Sequence, residues 1–310
     1  MLTRLQQLFP NQVYQQVALS NYSCWEIGGP VDWFIEVNSE RCLIESLNWL
    51  RLEGMPYCVI GSGTNILFDD SGFRGCVLRM GREFDTVEWS ESHVYAQSGA
   101  WIPSIAFHAA RAGLSGLEHT IGIPATVGGL VYMNGGSMRR NISEMIVSVK
   151  VMRANGELCE LTREECGFSY RKSRFHYSDE IILGAKMKFS TKKAYQEQRL
   201  ELLHILKSRR CKFPRKSPSC GSVFKSSPEL HSNYGPPGKV IEDLGFRGKV
   251  FGGICVSSEH ANFIINCGGG TSYEVLTIVD EIRVECQMQY GMDLIPEFQY
   301  LHPVDGITSL

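Results

Sequence analysis

Two glycine-rich segments are where residue type and spacing in this 310-residue sequence suit chemistry. In the first, Gly61-Ser62-Gly63-Thr64-Asn65 follows the apolar run Tyr57-Cys58-Val59-Ile60, and Ile66-Leu67-Phe68 resumes it. The second is Gly122-Ile123-Pro124-Ala125-Thr126-Val127-Gly128-Gly129. Small residues let backbone N–H groups approach an anion closely, so a dinucleotide pyrophosphate is one chemistry such loops suit. Tight turns use the same residue types, and spacing alone leaves both readings open. Other motifs are missing. Gly61-Ser62-Gly63 lacks the third glycine of a Rossmann fingerprint, and there is no G-x-x-x-x-G-K-[ST] loop. The eight histidines form no H-x-x-x-H or H-E-x-x-H pair, and no G-x-S-x-G elbow occurs.

The elements that must position these loops are legible from periodicity. Ser39 opens a helix with Leu43, Leu47 and Leu50 on one stripe. Tyr57 to Ile60 reads as a buried strand running into the first loop. Trp101 to Ala110 reads as a helix, and short strands continue to about Ser190. Residues 193–209 are helical in pattern, with Leu200, Leu203 and Leu206 at helical spacing. A basic stretch follows: Lys207, Arg209, Arg210, Lys212, Arg215 and Lys216. The main boundary is placed near 195, where the small-residue loops stop. The last helix spans Ser272 to Tyr290, with Thr271 and Glu274 as a capping box. Its stripe is Val275, Val279, Ile282 and Cys286, and Gly291 closes it. Asp293 to Tyr300 is expected to be a final strand carrying Glu297.

Composition bounds the rest. The chain has 31 Lys+Arg against 33 Asp+Glu and is 43% hydrophobic, enough for two cored domains or one large one. The near-neutral balance argues against a protein that coats nucleic acid. No apolar run approaches the ~20 residues a membrane span needs, and the N-terminus lacks a signal peptide's apolar centre. The eleven cysteines are scattered, with no C-x-x-C pair, so neither a disulfide framework nor a zinc site is expected. They read as reduced thiols of a cytoplasmic protein, most of them small core residues.

Further segments recur in a recognisable order. After Ile27-Gly28-Gly29-Pro30 and the two loops come Met133-Asn134-Gly135-Gly136 and Tyr170-Arg171-Lys172-Ser173-Arg174-Phe175. Gly221-Ser222-Val223-Phe224-Lys225, Ser258-Glu259-His260-Ala261-Asn262-Phe263 and Pro296-Glu297 complete the set. Over about residues 20–300 the sequence resembles the UDP-N-acetylenolpyruvoylglucosamine reductase (UDP-N-acetylmuramate dehydrogenase) family. The resemblance implies an α+β, vanillyl-alcohol-oxidase-like (PCMH-type) two-subdomain FAD-binding fold plus an α/β substrate-binding domain. The division expected is 1–78, 79–194 and 195–310. It implies non-covalent FAD, NADPH as reductant, UDP-N-acetylglucosamine enolpyruvate as substrate, and a monomer serving peptidoglycan precursor synthesis.

The resemblance also implies roles. Gly61, Ser62, Gly63, Thr64 and Asn65, with Gly122, Ile123, Pro124, Ala125, Thr126, Gly128 and Gly129, would hold FAD. Arg171, Ser222 and Glu297 would be catalytic, Ser222 protonating C2 of the substrate after hydride reaches C3. Arginine can fork onto a carboxylate or enolate, and a serine acid needs polarising neighbours in a dry site. Tyr170, Lys212 and Lys225 would contact substrate, and His260 is read as a structural hydrogen-bonding residue. The sequence departs from the family at Ala125 (usually Gly), Thr64 (Ser), Cys220 (Ala) and Ser226 (Asn). Cys220, if exposed, would be an oxidation or alkylation site. The short path from Phe175 to Ile181 leaves no room for the tyrosine-bearing loop of one family class, so the shorter, second class is expected. Another FAD oxidoreductase on this scaffold would have no reason to carry Gly221-Ser222-Val223-Phe224-Lys225 together with Pro296-Glu297. A non-catalytic nucleotide-binding protein would be free to lose Arg171, Ser222 or Glu297.

Overall fold

The structure, a computed structural model, describes residues 4–189, 191–214, 216–308 and 310. Its first sheet has four strands in the order Val13–Ala18, Pro30–Val37, Phe73–Met80, Tyr57–Ile60. The first pair is antiparallel and the rest parallel. The helix Glu40–Leu52 packs on this sheet. Ser39 caps it, its Oγ accepting from the Cys42 N–H at 3.1 Å, and Leu43, Leu47 and Leu50 are buried as their spacing predicts.

Tyr57–Ile60 is the expected strand, and the chain then changes sheets. Ile66–Phe68 pairs in parallel with Gln299–His302 near the chain's end, Ile66 opposite Gln299. The loop 61–65 therefore spans the gap between two diverging sheets. Strands that part leave a crevice at their ends, where ligands commonly bind.

The second sheet is antiparallel and five-stranded: Leu158–Thr162, Ile146–Met152, Ile181–Lys188, His93–Gln97, Val87–Trp89. The helices Ile102–Arg111 and Val127–Tyr132 contribute to its core, and so does Tyr195–Lys212. Here the expected leucine stripe fails. Leu200 and Leu203 are 69% and 49% exposed and only Leu206 packs against the core, whereas Gln198, Leu202 and Ile205 are buried. Burial follows the four-three spacing 198, 202, 205, and that face continues to Arg209.

The third region joins a small sheet, Val250–Phe251, Ile254–Val256 and Ile264–Asn266, to helices Pro228–Asn233, Pro237–Asp243 and Ser272–Tyr290. Its core also takes in Trp25, Ile27 and Leu67, so distant parts of the chain share it. The long helix matches expectation. Thr271 and Glu274 form the capping box, Val275, Val279, Ile282 and Cys286 are buried, and Gly291 ends it at φ +66°. The expected strand Asp293–Tyr300 is corrected to Gln299–His302, with Gly306–Thr308 beyond it. Glu297 lies before that strand, beside Pro296, which has no N–H to donate to a ladder. All eleven cysteines are free; Cys42, Cys58, Cys76, Cys166, Cys220 and Cys286 are buried, and Cys211 and Cys267 are exposed.

Candidate active site

A cleft of about 1360 Å³ is lined by both glycine loops, and each of the twelve residues expected to hold FAD contributes to its wall. That exceeds the ~300–1,000 Å³ of a typical small-molecule site and suits two large ligands side by side. The loops are glycine-rich because they are crowded. Gly63 has φ +66°, and a Cβ there would collide with the Tyr22 carbonyl oxygen. A Cβ on Gly61 would strike Thr126 Oγ1, so the two loops abut. The second loop is sewn to residues 98–102: Gly128 N–H donates to Ser98 O (2.8 Å), Val127 N–H to Ala100 O (2.9 Å), and Ile102 N–H to Ala125 O (3.1 Å). Ala125 is buried in the same apolar cluster as Ile102 and Val127.

The wall fits a flavin dinucleotide. Ser98 Oγ is buried in it without a partner, a cost of about 1–3 kcal/mol unless a ligand meets it. Arg209 lies against Gly122, 5.0 Å from the Phe213 ring, and no carboxylate among the described residues forms an ion pair with it. Burial lowers its pKa, and an anionic diphosphate is the partner such a cation lacks. Gly63→Ala is therefore expected to yield protein with little bound flavin, read as the ratio of visible to ultraviolet absorbance. Wild-type flavin content would remove the first loop from the cofactor site.

Beside the cleft the candidate catalytic residues converge. Arg171 Nε donates to Glu297 Oε1 at 2.6 Å across 126 positions of sequence, and both side chains are only 17% exposed. Arg171 Nη2 also donates to Gly136 O (3.1 Å) and Nη1 to Asn141 Oδ1 (3.5 Å). Arg171 itself sits at φ +55°, which costs a non-glycine residue about 1–3 kcal/mol and persists only where the surroundings hold it. Asn134 helps to hold it, donating to Ser169 O at 2.8 Å at the base of that turn, while Ser173 Oγ donates to Tyr132 O at 2.6 Å. The 133–136 and 170–175 segments are thus one construction.

Ser222 reaches the same place from another direction. Glu297 N–H donates to Val223 O (2.7 Å) and Lys225 N–H to Ile295 O (2.9 Å), so 223–225 and 295–297 run as a short antiparallel pair. Asn262 clamps the other side: its carbonyl accepts from Val223 N–H, its Oδ1 from Phe224 N–H, and its Nδ2 donates to Phe224 O, each at 2.9 Å. His260 Nδ1 accepts from the Asn262 N–H at 3.2 Å, the supporting role expected of it. Asn65 Nδ2 donates to Glu297 O (3.2 Å), which ties the first glycine loop to this assembly. Ser222 and Glu297 both line the cleft.

Other candidates stand further out. Tyr170 is half exposed, its ring 5.0 Å from the Arg171 guanidinium, and it is not part of the cleft wall. Lys225 is also outside the wall, near Glu297, Lys172 and Tyr177; burial lowers its pKa, with Glu297 opposing. Lys212 is exposed on the last turn of its helix and off the wall, while Arg209 and Arg210 are on it. Arg215 lies outside the described residues. Cys220 is 5% exposed and burial pushes its thiol pKa up, so it is not the reactive group its position suggested.

No motif of the sequence marks His176. It lines the cleft, stacked 4.1 Å from Tyr132, with Nδ1 accepting from Ser173 N–H. Burial lowers its pKa from 6.5 to about 4, and that of the buried His119 likewise to about 4. Both stay neutral in the folded chain while the unfolded chain takes up protons near pH 6.5, so their contribution is lost as pH falls from about 6.5 towards 4. The thermal midpoint is expected to drop across that window, and less so in His119→Phe. An identical pH slope in the variant would show that His119 contributes nothing to it.

Comparisons with known proteins agree with this geometry. A family model described as an FAD binding domain matches residues 31–162. Another, the UDP-N-acetylenolpyruvoylglucosamine reductase C-terminal domain, matches 213–301. UDP-N-acetylenolpyruvoylglucosamine reductase 1 of Corynebacterium glutamicum is 38% identical over 299 residues, covering 96% of this chain and 89% of the relative. The reductase of Chlamydia felis is 36% identical over 296 residues, covering 94% and 96%. The crystal structure of the Thermus caldophilus reductase superposes with a TM-score of 0.77 at 30% identity, covering 92% of this chain and 97% of that one. The fold is the α+β FAD-binding fold the motifs implied, and FAD is the cofactor. The two family models span both glycine loops and the Ser222 and Glu297 segments, and with relatives alike over nearly their whole length the chain belongs to the UDP-N-acetylenolpyruvoylglucosamine reductase family.

Proposed function

We propose that this chain reduces the enolpyruvyl ether of UDP-N-acetylglucosamine enolpyruvate to UDP-N-acetylmuramate, with NADPH as reductant, in peptidoglycan precursor synthesis. The observation that carries this reading is the Arg171–Glu297 pair at 2.6 Å, joined to the Ser222 strand beside a glycine-lined cleft. The 61–65 and 122–129 loops would hold FAD non-covalently, and when bound it would supply the hydride for C3 of the substrate.

The chain's own residues handle the charge and the proton. As hydride arrives, negative charge builds at C2 and spreads into the carboxylate. Arg171 meets it: three of its five N–H groups are taken by Glu297, Gly136 and Asn141, leaving one on each terminal nitrogen as a fork. Glu297 orients that fork. Ser222 Oγ–H then gives its proton to C2 in a site where desolvation strengthens each dipole. Arg209, Arg210 and Lys225 are the cations assigned to the diphosphates; Lys212 and Tyr170 act, if at all, at the rim. We read the units as 1–78, 79–194 and 195–310, with the helix Tyr195–Lys212 packed back on the second unit's core, and the protein as a cytoplasmic monomer, the scattered cysteine pattern suiting a reducing compartment.

The test is anaerobic spectroscopy of the purified protein. Flavin bands are expected to bleach with NADPH and return when UDP-N-acetylglucosamine enolpyruvate is added. Bleaching without return would discard this substrate, and no flavin after incubation with FAD would discard the reading.

A further inference from the structure

The proposed reaction uses none of the cysteines, yet two of them meet. Cys267 Sγ lies 3.1 Å from Cys255 Sγ. Cys255 is on the strand Ile254–Val256, and Cys267 directly follows its antiparallel partner Ile264–Asn266. The register sets Cys255 opposite Ile265, and Cys267 N–H donates to Gly253 O at 2.8 Å. The two cysteines are therefore diagonal neighbours on one face of a two-strand ladder. Cys267 is exposed and Cys255 half-buried, whereas Ile254, Val256 and Ile264 of the same strands point into the core. No other pair of described cysteines makes a sulfur–sulfur hydrogen bond.

We propose that Cys255 and Cys267 form an oxidation site that closes to an intrachain disulfide, with a peroxide as the oxidant. The Cys267 sulfur attacks a peroxide oxygen; the O–O bond breaks, a sulfenic acid forms and one water leaves. The Cys255 sulfur then attacks the sulfenyl sulfur; the S–S bond forms, the S–O bond breaks and a second water leaves. Two thiols and one hydrogen peroxide thus become one disulfide and two waters. The sulfurs need approach by only about 1 Å to reach bonding distance. Cys267 is the more exposed of the two and meets a peroxide first, while burial and the neighbouring Cys267 push the Cys255 thiol pKa up. A resolving thiol in contact diverts a sulfenic acid from deeper oxidation. Gly268 and Gly269 follow at φ +118° and +70° with open space around them, so this end of the hairpin has room to adjust.

The bridge would clamp a strand end that supports the active site. Asn266, next to Cys267, donates its N–H to Pro218 O at 3.0 Å and its Nδ2 to Trp25 O at 2.9 Å. Pro218 lies in the cleft-wall segment that leads to Ser222. The thiol chemistry is independent of the reductase reaction, so failure of either leaves the other standing.

The experiment treats fully reduced holoprotein with one equivalent of hydrogen peroxide, quenches with N-ethylmaleimide and reads intact mass and peptides. The expected result, after unfolding in N-ethylmaleimide, is a bridged species carrying two fewer adducts than the reduced control, with a linked 255–267 peptide that dithiothreitol separates. In Cys255→Ser the resolving thiol is gone, and dimedone is expected to trap Cys267 as its sulfenic acid. Recovery of Cys267 with a gain of about 32 Da, its linkage to another chain, or its persistence as a free thiol would each overturn the proposal.

Discussion

Ser222→Ala is expected to retain bound FAD and normal bleaching by NADPH, while turnover of UDP-N-acetylglucosamine enolpyruvate falls by about 10²–10⁴-fold, the usual worth of a positioned acid. The segment after Ser222 is held through its own backbone, by the carbonyl and side-chain amide of Asn262 on one side and the Glu297 N–H on the other, so removing Oγ leaves its path intact. The loss should therefore appear in one half-reaction only. Rapid mixing reads the two separately: flavin bleaching by NADPH, then flavin recovery with substrate. A slowed first half-reaction would make Ser222 part of the cofactor wall. Turnover within a few-fold of wild type would remove it as the acid and leave a solvent molecule in that role.

Why were the loops and the helices readable, when parts of the site were not? Ser39, Thr271, Glu274 and Gly291 act within a few residues of their own helices, and local signals of that kind survive in any tertiary context. Gly61 and Gly63 are explained only by Thr126 and Tyr22, which no local pattern names, but their glycine identity still marked the place. Arg171, Ser222 and Glu297 were legible through family likeness alone, since each taken singly looks like a surface arginine, a turn serine or a strand carboxylate. Their meeting depends on hydrogen bonds spanning much of the chain. Arg209 stood unmarked among the cations of 207–216, because a run of basic residues does not show which of them faces inward. The stripe through Gln198, Leu202 and Ile205 would have put Arg209 on the cleft side. Asp293 to Tyr300 had a strand's composition, yet Pro296 and the pairing with residues 223–225 left Glu297 outside the regular ladder.

Glu297→Gln tests whether Arg171, the arginine proposed to meet the developing charge, is held or merely present. Glutamine keeps the size and an oxygen able to accept from Arg171 Nε, but the carboxylate charge is gone and a hydrogen bond from the guanidinium to a neutral oxygen replaces the ion pair. Arg171 is at φ +55° and depends on its partners to stay there, so a weakened anchor lets the guanidinium leave the position where charge develops. Turnover is expected to fall by about 10²-fold or more, in line with loss of a transition-state stabiliser, with flavin content and bleaching by NADPH unchanged. Arg171→Ala should cost at least as much in the same half-reaction. If the two residues act as one device, the double variant Arg171→Ala/Glu297→Gln falls little below the worse single variant, because the second change removes nothing still working. Multiplying losses would instead give Glu297 a separate task at the substrate. Loss of FAD from Glu297→Gln would point to the Asn65 contact and make its role structural. The additive and non-additive outcomes differ by about two powers of ten in rate, which separates a carboxylate that holds the arginine from one that works on the substrate itself.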